Sequence, residues 1–393
     1  MKCRPAAPSG SGASPRSQRS QSARGSMSFL PEPVPTGSDS AMRTLSPILV
    51  TGAAGFIGFH VACRLLRAGR PVVGVDSLTP YYDISLKAAR LARLEELPGF
   101  TSVRADLADA EATREIFARY APEQVVHLAA QPGVRRSIVE PSPYVTSNVV
   151  AFLNVLEGCR HGGVKHLAYA SSSSVYGGNG KLPFAERDGV DHPVNLYAAT
   201  KKANELMAHA YSHLYDLPAT GLRFFTVYGP WGRPDMAVYT FTDAIARGRP
   251  IEVANGGRVW RDFTYVDDVA EGVVRVLDRP ARPDPTWDPL RPDPATSAAP
   301  HRVYNIGNDR PEELNRLVAL IEGALGRRAE RVDRPLPPGD ILETRADVSD
   351  LRRDVGFAPA TPLEIGVERF VAWYCSYHGS QDARTDPGFA AAE

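Results

Sequence analysis

A tyrosine and a lysine stand four residues apart, Tyr197 and Lys201 in "LYAATKK", after a run of serines, "SSSSVYG" at 171–177. On a helix, positions i and i+4 share one face, so the phenol and the ammonium would stand together. A phenol titrates near about 10 unaided, and a neighbouring cation favours the phenolate. Lowering the value by about three units is worth roughly 4 kcal/mol and makes a base useful at neutral pH. A serine hydroxyl across the site can relay the proton and orient the reacting oxygen. Alone, the serine run reads as low complexity and the Tyr–Lys pair as an ordinary solvated helix face. The elements around them decide.

From residue 47 the chain alternates. "PILVTG" is a short strand-like run, "FIGFHVACRLLRAG" has apolar residues at helical spacing, and "PVVGVD" is strand-like again. The beat returns through "QVVHLAA", "VKHLAYASS", "LYAATKKANELMAHAYSHLY" and "ATGLRFF". Such alternation predicts an α/β fold, a Rossmann-type doubly wound parallel sheet covered on both faces. "VKHLAYASS" then delivers its serines to the carboxyl end of the sheet, where such folds bind ligands. The first turn, "TGAAGFIG", places Gly52, Gly55 and Gly58 where strand becomes helix, the context a dinucleotide pyrophosphate requires. Asp76 ends the next strand, placed to bond a ribose 2′-hydroxyl. Its charge would repel a 2′-phosphate, which points to NAD rather than NADP. Asp106, in "RADLAD", is a candidate for the adenine edge, with a turn or N-cap role as the alternative. Cofactor contacts are expected at Gly52, Gly55, Phe56, Ile57, Gly58, Asp76, Asp106 and Leu107, with Tyr197 and Lys201 at the nicotinamide end. A cationic nicotinamide would add to the pull on the Tyr197 proton.

Composition excludes other classes. Lys plus Arg equals Asp plus Glu at 45 each, so no net field recruits nucleic acid or an acidic membrane. Cys3, Cys63, Cys159 and Cys375 form no CxxC pair and read as idle thiols in a reducing compartment. No run approaches the roughly 20 apolar residues of a membrane span, and a cytoplasmic protein is expected. Residues 1–45, rich in Ser, Gly and Arg, are expected to be a disordered extension, and Met42 is a candidate alternative start. His209 and His213 share a helix face but lack a third ligand nearby, so no metal is expected.

Together "TGAAGFIG", "SSSSVYG" and "YAATK" resemble the extended short-chain dehydrogenase/reductase family of sugar-nucleotide enzymes. Within it, "VDHPVNLYAATKKANELMAHAYSHLYDLPATGLRFFTVYGPWGRPDM", "YYDISLKAARL", "RDFTYVDDV" and the tail "ADVSDLRRDVGFAPATPLEIGVERFVAWY" resemble the UDP-glucuronate 4-epimerases, over roughly 46–377. The resemblance implies that Tyr197, assisted by Ser172 and Lys201, takes the sugar 4-hydroxyl proton while NAD holds the C4 hydride. The 4-keto sugar then turns over and receives the hydride on its other face. It also implies substrate contacts at Ser172, Ser173, Thr226, Arg233, Arg261 and Asp340. Arg233 would clamp the carboxylate, Thr226 would stand beside it, Arg261 would meet the UDP phosphates, and Asp340 the uridine ribose. A homodimer is implied through the helix of Tyr197 and the one starting near Tyr144.

Oxidising C4 of a glucuronate makes a β-keto acid that loses CO2 if the carboxylate stands perpendicular to the carbonyl. A bidentate arginine suits the task of holding it otherwise. Ser173 and Ser174 stand where dehydratases and decarboxylases of the family carry acidic residues. This argues against a dehydratase and leaves a UDP-xylose-forming decarboxylase as the alternative enzyme. A non-catalytic NAD-binding module is the alternative from another class. The chain also departs from common forms at Ser77 after Asp76 and at Arg136 in "QPGVRRS". The expected division is an NAD-binding domain at 46–225 and a smaller mixed α/β substrate lobe at 226–377, with segments returning to the first core. A flexible tail is expected at 378–393. "IEVANGGRVWRDFTYV" is expected to be a hairpin turning at Asn255-Gly256, and the Pro- and Asp-rich 278–300 an excursion loop.

Overall fold

The computed structural model describes residues 46–336 and 341–385. Its first part runs β1 (Ile48–Thr51), α1 (Phe56–Arg67), β2 (Val72–Asp76), α2 (Ile84–Glu95), β3 (Phe100–Arg104), α3 (Ala110–Tyr120) and β4 (Gln124–His127). Next come α4 (Val134–Val139), α5 (Ser142–Val145), a π turn at Thr146–Val150, α6 (Ala151–Gly162), β5 (His166–Ser172), α7 (Leu196–Tyr215) and β6 (Ala219–Phe224). The third part holds β7 (Thr226–Tyr228), α8 (Ala237–Ala246), β8 (Ile251–Ala254), β9 (Trp260–Tyr265), α9 (Val266–Leu277) and β10 (His301–Ile306). The chain closes with β11 (Pro311–Glu313), α10 (Leu314–Leu325), β12 (Arg331–Arg334), α11 (Ser349–Val355) and α12 (Leu363–Thr385).

Seven strands pair in parallel in the order β10-β6-β5-β4-β1-β2-β3. The chain moves outward from β1 to β3, then resumes on the other side of β1 with β4. That reversal opens a crevice at the carboxyl ends of β1 and β4, the place where open α/β sheets bind ligands. One apolar layer packs α1 and α9 on the sheet, and the other packs α3, α6 and α7. Helix α9 shows why: Val266, Val269, Ala270, Val273, Val276 and Leu277 recur at helical spacing and are all buried. Thus α9 and β10, from the second half of the sequence, complete the first layer system. The described residues all belong to one compact unit.

The remaining strands form two small sheets, β11-β9-β7 and β12-β8, under a third apolar cluster from α8, α10 and α12. Here the hairpin expectation is corrected. Asn255 and Gly256 do adopt positive φ, at 50° and 59°, yet the strands they join never pair. Strand β8 takes β12 as a parallel partner, and β9 takes β7 and β11. The turn is docked on α10 instead, where Asn315 Nδ2 donates to the Gly256 carbonyl at 3.1 Å. The periodicity marked both strands but not which edges had other partners.

Helix α12 spans Leu363–Thr385; within it Tyr377 stacks on Trp373, and His378 and the Tyr239 hydroxyl share a hydrogen bond at 2.7 Å. The 1–45 extension and residues 386–393 lie outside the described residues.

Candidate active site

The glycine turn is built by close approach. A Cβ on Gly58 would stand 2.0 Å from the Gly52 carbonyl oxygen, and Gly52, at φ +70°, abuts the Ala129 backbone. Only glycine lets α1 start so near β1 and β4, which leaves the first amides of α1 facing the crevice. Beside them Asp76 accepts from the Ala54 amide at 3.1 Å and the Leu78 amide at 2.8 Å. Its carboxylate lines the same cavity as Gly52, Gly55, Phe56, Ile57, Gly58, Asp106 and Leu107. Asp106 also accepts from the Ala108 amide at 2.9 Å, the turn role offered as its alternative.

Across the crevice, Asn195 caps α7 by accepting from the Ala198 amide at 2.8 Å, which sets Tyr197 in the first helical turn. Lys201, one turn on, is fully buried and donates to the Ala170 carbonyl of β5 at 2.9 Å. Burial pushes its ammonium down to about 8. Ser172 ends β5. Tyr197, Lys201, Ser172 and Arg233 all line the cavity that the glycine turn enters.

Burial raises the Tyr197 value, and what opposes it is the side-chain hydrogen bond with Ser172 and the charge of Arg233. The Lys201 ammonium keeps its charge while donating to the Ala170 carbonyl, and burial of the phenol outweighs the groups that oppose it. A further positive charge in the cavity would favour the phenolate.

Supports that sequence reasoning missed surround this group. The Thr51 hydroxyl accepts from the Leu128 and Ala129 amides, both at 3.1 Å, and therefore gives its own proton to His127 Nδ1 at 2.9 Å. His127 is thus neutral, held near about 3 by burial and the Lys201 charge. In the π turn, Asn148 accepts from the Gln131 amide at 2.7 Å and donates to the Gln131 carbonyl and Thr200 hydroxyl, each at 3.1 Å. That pins the cavity wall to α7. Under β5, Arg223 forks onto Glu205 at 2.8 and 2.9 Å, and Ser171 donates to the same carboxylate at 2.6 Å. Arg90, also fully buried, donates to the carbonyls of Ala54 at 3.0 Å and Trp231 at 2.6 Å, tying the glycine turn to the Arg233 loop. Arg90 lies in "YYDISLKAARL", where the only signal was a resemblance and no spacing marked the residue.

The other expected contacts are not gathered here. Ser173 opens the short 3-10 turn after Ser172, and Thr226 begins β7, but neither is among the lining residues. Arg261 donates to the carbonyls of Trp260 at 2.9 Å and Leu342 at 3.2 Å, away from the cavity lining. Asp340 lies outside the described residues. His209 bonds the Ser297 hydroxyl at 2.8 Å, and no cluster of three or more potential metal ligands occurs among the described residues.

An uncharacterized protein of Escherichia coli O111:H- is 56% identical over 330 residues, 84% of this chain and 98% of that one. A probable UDP-glucuronate 4-epimerase of Rhizobium meliloti is 49% identical over 330 residues, 83% of this chain and 96% of that one. Among solved structures, the UDP-glucuronic acid 4-epimerase from Bacillus cereus, in complex with UDP-glucuronic acid and NAD, superposes with a TM-score of 0.73. It is 30% identical, covering 84% of this chain and 99% of that one. Residues 48–307 match the NAD dependent epimerase/dehydratase family, and the chain belongs to that family.

Proposed function

We propose that the protein interconverts UDP-glucuronate and UDP-galacturonate by inverting C4 through a transient 4-keto sugar. The observation that carries this reading is the convergence of Ser172, Tyr197, Lys201 and Arg233 on the cavity of the glycine turn. The names of the Rhizobium and Bacillus proteins support it.

The crevice fits NAD. The glycine turn admits no Cβ, helix amides face it, and Asp76 offers a carboxylate for a ribose. Bound there, NAD supplies a reversible hydride store and a positive charge beside the phenol. The chain's residues do the rest. Tyr197 takes the C4 hydroxyl proton and later returns it, Ser172 holds O4 in line, and Lys201 adds charge beneath the phenol. Arg233 holds the carboxylate away from the angle at which a β-keto acid loses CO2. Gly55, Phe56, Ile57, Asp106 and Leu107 cradle the cofactor. Ser173 and Thr226 flank the sugar, and Asp340 meets the uridine. Arg261 reaches the phosphates by releasing the Trp260 and Leu342 carbonyls.

The same reading includes a homodimer. Val150 and Leu153 near the start of α6, with Leu206 and Leu214 on α7, are exposed, an unusual display of apolar side chains on neighbouring helices. Light scattering at twice the chain mass is expected. A cytoplasmic setting agrees with Cys63, Cys159 and Cys375 being unpaired. Among the described residues no helix is long and apolar enough to cross a membrane.

Proton NMR of purified protein with UDP-glucuronate and no added cofactor tests the function. Growth of a galacturonate anomeric signal is expected. A UDP-xylose signal would identify a decarboxylase, and no turnover even with added NAD would leave a binding module.

A further inference from the structure

Arg233 is gripped along one edge by the chain itself. Its Nε donates to Asp235 Oδ1 at 3.0 Å and its Nη2 to Oδ2, while the Tyr81 hydroxyl donates to Oδ2 at 3.1 Å. Nη1 makes no hydrogen bond among the described residues. Arg233 and Tyr81 line the cavity and Asp235 does not, so the carboxylate holds the guanidinium from outside. The Tyr81 ring also has two cations near it, with Arg136 at 5.3 Å and Arg233 at 6.0 Å from its centre.

A guanidinium has two edges that can grip a carboxylate, the Nε/Nη2 side and the Nη1/Nη2 end. We propose that Asp235, steadied by Tyr81, is a positioning residue that fills the side edge of Arg233 and leaves the end edge to the sugar carboxylate, fixing the angle at which it is held. The inference rests on the epimerase reading and deepens it.

The angle matters because of what the 4-keto acid can do. When its C5–C6 bond lies along the π orbital of the ketone, that bond breaks and CO2 leaves. The electron pair passes into the C4–C5 enolate, and C5 then takes a proton. An arginine free to swivel would still neutralise the carboxylate, but it would not hold the bond out of that alignment. Asp235 also shares the single positive charge with the substrate, so removing its charge does not weaken attraction for an anion. Affinity and orientation therefore separate.

The test is Asp235→Asn and Tyr81→Phe, each assayed with UDP-glucuronate by NMR and by CO2 release. For Asp235→Asn, kcat for inversion is expected to fall about tenfold or more. KM should stay within about threefold of the parent or drop, and a decarboxylated pentose product should appear. Tyr81→Phe, which removes one hydroxyl and leaves the ring, should shift both readouts the same way by less. Unchanged kcat with clean inversion in both variants would overturn the proposal, as would a raised KM at unchanged kcat. If Asp235→Asn does not fold, Tyr81→Phe decides by the same criteria. Parent protein that inverts C4 alongside unaffected variants sinks this inference alone, whereas parent protein that never inverts C4 sinks the epimerase reading and this inference with it.

Discussion

Lys201 Nζ donates to the carbonyl of Ala170 at 2.9 Å, fastening the second turn of α7 to the strand that ends in Ser172. That bond ties the helix of Tyr197, the proposed proton acceptor, to the strand of Ser172. It also holds a charge in a place that disfavours it.

That charge gives a pH dependence with opposite signs for turnover and stability. Burial lowers the Lys201 value from 10.5 to about 8. Activity that needs the ammonium is expected to decline as pH rises through about 8. The cost of burying the charge is fully present below that value and fades as pH climbs toward 10.5, so this group's contribution to stability improves over the same window. Lys201→Met should lose turnover by about a hundredfold or more while its Tm holds or rises. A kcat–pH profile and a melting series check both.

Ser172 acts on the phenol directly. Its hydrogen bond opposes the upward push of burial on Tyr197, so Ser172→Ala leaves the phenol harder to ionise. The acid limb of the kcat profile is expected to move to higher pH, with kcat lower at neutral pH. Tyr197→Phe should lose inversion by at least about a thousandfold while still binding UDP-glucuronate in calorimetry. An unshifted limb in Ser172→Ala would remove the serine from proton transfer.

Arg223 and Glu205 are both buried, and their ion pair anchors Ser171 beneath the site. Glu205→Gln leaves the guanidinium without its counter-charge and is expected to cost about 3–5 kcal/mol of stability. Replacing both partners by apolar residues should cost less than the single change. Urea unfolding of the single and double variants measures the difference. The carboxylate is held below its ordinary value chiefly by Arg223 against the upward push of burial, so the pair's stabilisation is present above about 4.5 and lost in acid.

The parallel sheet and its switch point were legible because each strand and helix carried its own periodicity, and because only glycine fits at Gly52 and Gly58. Type and spacing marked Tyr197 and Lys201, and the family resemblance singled out Ser172 from its serine run; all three line one cavity. What stayed hidden depends on partners distant in sequence. Strands β8 and β9 flank a turn-forming Asn-Gly pair, yet each takes its sheet partners elsewhere in the chain. Likewise Tyr81 meets Asp235 across 154 positions and Arg90 meets Trp231 across 141, and no local pattern encodes either. The sign of the Tyr197 shift was hidden for a related reason. Spacing showed the ammonium nearby, but not that a strand carbonyl holds it or that burial outweighs it.

The central claim is that the C4 hydrogen leaves the sugar and returns to the same carbon within one binding event. UDP-glucuronate carrying deuterium at C4, incubated with the purified protein and followed by NMR, tests it most directly. Deuterium retained at C4 of the galacturonate product, with none washed into water, is the expected result. A galacturonate product with protium at C4, or decarboxylated sugar as the main product, would contradict it.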